Sequence, residues 1–248
     1  MIKASILFRK IEKEIPLSLA FKYDTIGYIG TEPAKELEVE KILVMMDYIS
    51  PGTGNEIDYE KYDLLILHHP PVVKPVIPSY VIHSNWDIIS GGACDALADR
   101  LNIEVLDIFD MKTQIGRIGT LKETSVKLPD FCEFVKERLG QDKIRVVNFD
   151  ENVEIGKICI ISGFGLTPKY IEMAHEAGAD VFLSGDLTHP GAILAKNSGL
   201  VLIDASHHAT EMPGLYRLQE LISGLGVDTE IIDTKIPWDY CTGNSRKI

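Results

Sequence analysis

Short apolar segments alternate along this chain with longer segments in which apolar residues recur every three or four positions. The short segments are rich in Val, Ile and Leu, which predicts strands, whereas recurrence at helical spacing predicts amphipathic helices. The predicted strands are Lys41–Met46, Asp63–Leu67, Ile103–Phe109, Ile144–Phe149, Lys157–Ile161, Val181–Leu183 and Leu200–Ile203. The predicted helices are Ala93–Leu101, Phe131–Leu139, Pro168–Ala177, Gly191–Asn197 and Gly214–Leu225. This alternation indicates an α/β fold.

The helix and strand pattern is interrupted at Gly116–Gly119, after which a fresh series of strands and helices begins. No low-complexity linker separates the two parts, so we expect two interlocked α/β domains with mixed sheets flanked by helices. The first domain would consist of residues 1–115 plus 205–248, and the second of residues 116–204.

The amino-terminal segment, Met1–Lys13, has the pattern of a short amphipathic helix. It contains neither the apolar core nor the cleavage site of a signal peptide. No apolar run in the chain reaches the roughly 18 residues that a membrane span needs. We therefore expect a cytoplasmic protein that does not enter a membrane.

The composition is that of a folded, acidic protein. The 248 residues are 45% apolar, which suffices for a normal core. Asp and Glu outnumber Lys and Arg by 37 to 25, for a formal charge of −12, so the composition does not favour nucleic acid as a partner, although an oligomer can concentrate local positive patches. The four cysteines are far apart and form no C-x-x-C pair, so we expect them to be reduced and mostly buried: Cys94, Cys132, Cys159 and Cys241.

Two adjacent histidines, His68 and His69, directly follow the predicted strand Asp63–Leu67. Imidazole is the commonest protein ligand for transition metals, and binding groups collect at the carboxyl ends of strands in open α/β sheets. The doublet is therefore a candidate metal site. The alternative is a turn in which both rings bond only to water and backbone.

Two other histidines are each followed four residues later by a carboxylate. His83 precedes Asp87, and His207 precedes Glu211. Within a helical turn this spacing places both groups on one face, where they can converge on one ion. In the alternative interpretation Asp87 caps the next helix, and Thr210 is an N-cap with Glu211 in the first turn. Taken alone, the first pair favours capping, whereas the second pair is the stronger metal candidate.

Two further segments follow predicted strands. The segment Ser184–Gly191 combines Asp186 with His189 and would add an acid or base at the same sheet edge, unless Asp186 or Thr188 only forms a turn or cap. The segment Ser162–Gly165 is a glycine-rich turn that can hold an anion such as phosphate at a helix amino terminus. Two glycines without the lysine of a phosphate-binding loop are a weak signal.

Five candidate ligands are too many for one four-coordinate site with an open position: His68, His69, Asp87, His207 and Glu211. They suit two neighbouring metal ions about 3.5–4 Å apart, an arrangement typical of hydrolytic enzymes. Mixed nitrogen and oxygen donors suit Zn, Fe, Mn, Ni or Co, and the sequence does not choose among these metals.

These motifs resemble, in order, those of the NIF-three-like family, whose members are also called homologues of GTP cyclohydrolase 1 type 2. The resemblance extends over essentially the whole chain. The chain departs from the family pattern at Ser206, where Gly is usual, and at His208, where Tyr is common. The matching motifs are Leu65-Ile66-Leu67-His68-His69-Pro70, His83-Ser84-Asn85-Trp86-Asp87, Ser184-Gly185-Asp186 with His189, and Ile203-Asp204-Ala205-Ser206-His207 with Thr210-Glu211.

The resemblance implies a toroidal homohexamer of two-domain α/β subunits, each with two divalent metal ions in a cleft between its domains. It implies that the five candidate ligands bind these ions and that metal-activated water opens the imidazole ring of a purine nucleotide. His83 and His189 would then be the proton shuttles, because each is a non-ligand imidazole near the cluster. The alternative is a ring-shaped binding or regulatory protein, for nucleic acid or protein, whose metals are structural.

Overall fold

The structure is a computed structural model that describes residues 1–31, 33–34, 36–53, 56–122 and 125–239. Its strands are β1 (Ile2–Lys3), β2 (Gly27–Ile29), β3 (Glu38–Val39), β4 (Lys41–Met45), β5 (Leu64–Leu67), β6 (Ser79–Val81), β7 (Ile103–Asp110), β8 (Ile115–Leu121), β9 (Arg145–Val147), β10 (Lys157–Phe164), β11 (Val181–Gly185), β12 (Val201–Asp204) and β13 (Asp228–Ile231). Its α-helices are α1 (Ala4–Glu14), α2 (Ser84–Ile88), α3 (Ala93–Arg100), α4 (Leu128–Leu139), α5 (Pro168–Glu176), α6 (His189–Ser198) and α7 (His207–Gly224). Short 3-10 turns lie at Leu17–Leu19 and Tyr59–Lys61.

One sheet has five strands in the order β13-β4-β5-β6-β2. All its neighbours are parallel except β2, which runs antiparallel to β6. Strand β5 is apolar and buried throughout because both faces of this sheet are covered. Helices α1 and α7 pack on one face, and the tyrosines Tyr48, Tyr59 and Tyr62 pack on the other.

The second sheet has six strands in the order β7-β8-β10-β11-β12-β9. Its central strands β10, β11 and β12 are parallel and are connected through α5 and α6, as parallel strands require. The outer strands pair antiparallel. Apolar residues on alternate sides of the central strands contact α5 and α6 on one face and α3 and α4 on the other.

The predicted α/β class is confirmed, with helices flanking mixed sheets. The amphipathic segment at the amino terminus is a helix, α1, as predicted. Three predicted buried cysteines, Cys94, Cys132 and Cys159, are buried and free, whereas Cys241 lies outside the described residues. Within the described residues, no helix combines the length and hydropathy needed to cross a membrane.

The glycines at Gly116–Gly119 lie inside strand β8 rather than in an interdomain connection. A Cβ on Gly119 would lie 2.4 Å from the carbonyl oxygen of Glu104 in β7, so this glycine permits close approach of two paired strands. Because β7 already pairs with β8, the chain enters the six-stranded sheet before Ile103. The division at residues 115/116 therefore falls inside β8, within one sheet, and the domain boundaries remain a proposal.

Helix α7 begins at His207, seven residues before the predicted start at Gly214, and it contains Pro213. A proline in a helix interior lacks the N–H that the helix needs, so the sequence pattern predicts a helix beginning after it. Tertiary packing outweighs this local penalty here, since Met212 and Leu215 on either side of the proline are buried against the five-stranded sheet.

Candidate metal centre

The five predicted ligands come from separate elements and converge on one cluster. His68 and His69 directly follow β5 of the five-stranded sheet. Asp87 lies in α2, and His207 and Glu211 occupy the start of α7, directly after β12 of the six-stranded sheet. The carboxyl ends of strands from both sheets therefore face the same cluster.

Glu211 lies at the middle of the cluster. Its Oε1 is 3.1 Å from Nε2 of His207 and 3.5 Å from Nε2 of His68, and its Oε2 is 3.0 Å from Nε2 of His69. Nε2 of His68 is also 3.5 Å from Oδ1 of Asp87. Three groups of three donors result, each within 4.8 Å: His68 with His69 and His83, His68 with Asp87 and Glu211, and His69 with His207 and Glu211. The carboxylate of Glu211 is common to the last two groups.

Three buried atoms at the cluster have no hydrogen-bond partner among the described residues. They are Nε2 of His68, Oδ1 of Asp87 and Oε2 of Glu211. These residues are only 2–3% exposed, and a buried polar atom without a partner costs about 1–3 kcal/mol. The short separation between Glu211 Oε2 and His69 Nε2 lacks the geometry of a hydrogen bond. Because these atoms are imidazole nitrogens and carboxylate oxygens, the arrangement fits divalent metal ions.

Each ligand histidine is oriented by a hydrogen bond at Nδ1, the ring nitrogen that faces away from the cluster. In a neutral ring that donates through Nδ1, Nε2 carries the lone pair that a metal requires. The acceptors are the carbonyl oxygen of Ile82 for His68 at 3.0 Å, Asp47 for His69 at 2.8 Å and Asp186 for His207 at 2.7 Å. Sequence analysis missed Asp47, although its position just after the end of β4 was a usable signal.

Gly163, near the end of β10, leaves space for the cluster. Its φ is +77°, and a Cβ there would lie 2.1 Å from Oε1 of Glu211 and 3.2 Å from Nε2 of His207. Its amide donates to Oγ1 of Thr210 at 2.9 Å, and the amide of Gly165 donates to Gly185. These two N–H groups are already bonded within the protein and are therefore not free to hold an anion, so the structure does not support the anion-binding turn considered for Ser162–Gly165.

Without metal, the charges of the cluster favour the protonated forms of the two half-buried histidines, His69 and His207. Burial disfavours the charged form of His69, but its hydrogen bond to Asp47 and the negative charge of the nearby Glu211 carboxylate outweigh burial and raise its pKa to about 10. The pKa of His207 is likewise raised to about 10, because bonds to Asp186 and Glu211 outweigh burial. Burial also opposes ionisation of Glu211, yet the surrounding histidines lower its pKa. For Asp87 burial prevails and raises the pKa.

The capping alternatives to metal binding are not supported. Asp87 lies inside α2, and no side chain caps α3. Helix α7 is capped by Ser206, whose hydroxyl accepts from the amide of Ala209 at 3.2 Å, so the prediction of Thr210 as N-cap is wrong. The predicted cap Thr188 does cap α6, where its hydroxyl accepts from Gly191.

The remaining predicted histidines differ in their distance from the centre. The His83 ring lies beside His68 and His69, with ring centroids 5.3 and 5.5 Å apart. His189 is exposed at the start of α6 and belongs to none of the donor groups found among the described residues. His208, which departs from the family pattern, bonds to Asp233 at 2.8 Å and also lies outside these groups.

Comparisons with known proteins identify the family of this chain. A family model described as Duf34/NIF3 (NGG1p interacting factor 3) matches residues 71–237. A GTP cyclohydrolase 1 type 2 homolog of Methanothermobacter thermautotrophicus is 44% identical over 238 residues, which cover 96% of this chain and 95% of the relative. A protein of the same name from Methanocaldococcus jannaschii is 34% identical, with 93% and 98% covered. The solved structure of reduced HcgD from Methanocaldococcus jannaschii has a TM-score of 0.79 at 32% identity and covers 95% of this chain and 98% of that one. The chain therefore belongs to the Duf34/NIF3 family.

Proposed function

We propose that this protein is a metal-dependent hydrolase with a dinuclear centre that acts on a nucleotide or a related small phosphorylated molecule. The observation that carries the proposal is the set of buried atoms without hydrogen-bond partners, Nε2 of His68, Oδ1 of Asp87 and Oε2 of Glu211. The names of the relatives, GTP cyclohydrolase 1 type 2 homolog, support the nucleotide as substrate.

The two donor groups that share Glu211 suggest which residues hold each ion. His68, Asp87 and Glu211 would hold the first, and His69, His207 and Glu211 the second, with the carboxylate of Glu211 shared. When bound, such a pair lowers the pKa of water toward neutrality and polarises a substrate bond. Asp47 and Asp186 would keep the rings of His69 and His207 in the orientation that ligation requires.

The burial of the ligands indicates from which side a substrate enters. The side chains of His68 and Glu211 are each 3% exposed, whereas those of His69 and His207 are 20% and 28% exposed. Solvent therefore reaches the cluster on the side of His69 and His207, and we place the substrate there. His83 is the proposed proton shuttle. The proposal that His189 is also a proton shuttle is supported only by its position in the sequence.

We also propose that the two sheets form two interlocked domains with the metal centre between them and that the chain assembles into a homohexamer. The origin of the ligands supports the first proposal, because His68 follows a strand of one sheet and His207 follows a strand of the other. The proposal of a homohexamer is supported by the resemblance to the family. Light scattering coupled to size-exclusion chromatography tests it, with six times the chain mass of 27.6 kDa expected.

The proposed function is tested by elemental analysis and GTP turnover on the same preparations. The wild type is compared with His68→Ala and with His175→Ala, which removes an exposed histidine of α5. We expect close to two metal ions per chain in the wild type and in His175→Ala. We also expect both to release formate from the imidazole ring of GTP in a metal-dependent reaction. His68→Ala should lose both the metal and the turnover.

Other results would separate the parts of the proposal. Two ions per chain without turnover of GTP would retain the centre and overturn GTP as substrate. Lower stability of His68→Ala with unchanged turnover would assign the metals a structural role. Wild-type protein without metal after purification and after incubation with each candidate ion would overturn the metal centre.

A further inference from the structure

His83 lies beside the candidate metal centre, outside the two donor groups that share Glu211. Its ring stands edge-on to His68 and His69, at interplanar angles of 75° and 85°. A ring nitrogen of His83 lies within 4.8 Å of donor nitrogens from both of these residues. The ring therefore faces the two proposed ion positions at once.

The other side of the His83 ring is bonded to Asp24, a residue from a distant loop. Nδ1 of His83 lies 2.8 Å from Oδ1 of Asp24, whose side chain is only 8% exposed. Oδ2 of Asp24 accepts from the backbone amide of Ser84 at 3.1 Å and from the Ser84 hydroxyl. Because an ionised carboxylate only accepts hydrogen bonds, Nδ1 of His83 must carry the proton in this contact.

The loop that carries Asp24 is itself fixed to the start of α2. The amide of Asp24 donates to the carbonyl oxygen of Phe21 at 2.9 Å. The amide of Phe21 donates to the hydroxyl of Ser84, also at 2.9 Å. Ser84 thus accepts from one end of the loop and donates to the other, which leaves the carboxylate of Asp24 little freedom to turn away from His83.

We infer that Asp24 is a positioning residue that holds His83 in the tautomer protonated at Nδ1, so that the lone pair on Nε2 faces His68 and His69 and accepts a proton at the metal centre. The catalytic part of this inference rests on the proposed function, whereas the tautomer is a property of the chain itself. The two proposed ion positions each have three donors without His83, while His83 forms a further possible donor group with His68 and His69. We assign His83 the role of proton acceptor, and the metal content of a His83 variant decides between the two roles.

Asp24→Asn is the variant that tests the inference with least change of shape. The Ser84 amide and hydroxyl both need an acceptor, so the asparagine oxygen is expected to face Ser84 and its NH₂ to face His83. A donor opposite Nδ1 forces the neutral ring into the tautomer protonated at Nε2, which removes the acceptor from the metal side. Asp24→Ala is the second variant, because it removes the acceptor without adding a donor.

Long-range ¹H–¹⁵N NMR of the full-length, metal-free protein distinguishes the two tautomers at a pH where the ring is neutral. His83→Gln identifies the His83 signals, and Asp58→Asn, at an exposed aspartate, is the matched control. We expect protonation at Nδ1 in the wild type and the control, and at Nε2 in Asp24→Asn. Metal content is expected to stay at the wild-type level in all of these variants.

The outcomes separate this inference from the proposed function. Retention of the Nδ1 proton in both Asp24 variants would overturn the positioning role. Loss of metal in His83→Gln would make His83 a ligand and overturn its role as acceptor. Where the wild type turns over GTP, Asp24→Asn is expected to lower kcat about 10²–10⁴-fold with little change in KM, and an unchanged kcat would overturn the catalytic part. Wild-type protein unable to bind metal would overturn the proposed function, while the tautomer would still be decided by NMR.

Discussion

Gly163→Ala should damage the metal centre without touching a ligand. The φ of +77° at this position costs a residue with a Cβ about 1–2 kcal/mol. The added Cβ would also lie 2.1 Å from Oε1 and 2.9 Å from Cδ of Glu211, so the carboxylate must move. Forcing an extra methyl group into packed space typically costs about 1–3 kcal/mol. We therefore expect the free energy of unfolding to fall by about 2–5 kcal/mol, the sum of these two ranges.

Gly199→Ala is the matched control for this substitution. Its φ is +80°, and a Cβ there would meet nothing within 4 Å. It should therefore lose only the backbone contribution, about 1–2 kcal/mol. Subtracting the loss in Gly199→Ala from the loss in Gly163→Ala isolates the displacement of the Glu211 carboxylate.

Urea unfolding of both metal-free variants measures these losses, and competition with a chelator measures metal affinity. Because Glu211 belongs to both donor groups proposed to hold an ion, we expect Gly163→Ala to weaken the binding of both ions at least tenfold, while Gly199→Ala binds metal like the wild type. Equal losses of stability in the two variants, together with unchanged metal affinity in Gly163→Ala, would refute the inference that this glycine leaves space for the ligands.

Two further predictions follow from the site. In the metal-free protein the pKa of His69 and of His207 is raised from 6.5 to about 10, so their contribution to stability is complete below pH 6.5 and is lost as the pH rises toward 10. Urea unfolding across this range should show falling stability, and a flat profile would contradict the charge assignment. Ser206→Gly should stabilise the protein by about 1 kcal/mol, because φ +70° and ψ 151° suit glycine and replacing the capping hydroxyl by glycine costs only a few tenths. A lower melting temperature in Ser206→Gly than in the wild type would contradict the predicted stabilisation.

The sequence predicts well which side chains come together at the candidate centre, because their positions depend on local geometry. His68 and His69 end a strand, and His207 and Glu211 are separated by one helical turn. Side chains at strand ends and on one helical face have positions that spacing alone defines. The fold class is predictable for the same reason, since β5 is an uninterrupted apolar segment.

The pairing of Asp47 with His69 and of Asp24 with His83 could not be predicted from spacing. Asp47 lies 22 residues from His69, and Asp24 lies 59 residues from His83, so only the folded chain brings them together. From the sequence, Gly163 looks like a turn residue. Its role of leaving space for the Glu211 carboxylate depends on a residue that is distant in the sequence. The start of α7 was missed because Pro213 locally opposes a helix that tertiary packing stabilises.

Helix α7 links the two sheets at the candidate metal centre. It follows β12 of one sheet but packs through Leu215 and Leu218 on the other. Behind the ligands, Nε1 of Trp86 donates to the carbonyl oxygen of Gly214 at 3.0 Å, which ties α2 to α7.

Because Asp87 lies on α2 and Glu211 on α7, this contact keeps the two carboxylates in place although burial disfavours the charge on each of them. The helices cannot separate to let water reach the unpartnered atoms without breaking core contacts, so the metal-free protein retains a cost of about 1–3 kcal/mol for each of these atoms. Binding of the proposed metal ions would remove that cost, and this is the physical reason to expect tight binding at a site whose candidate ligands belong to two sheets.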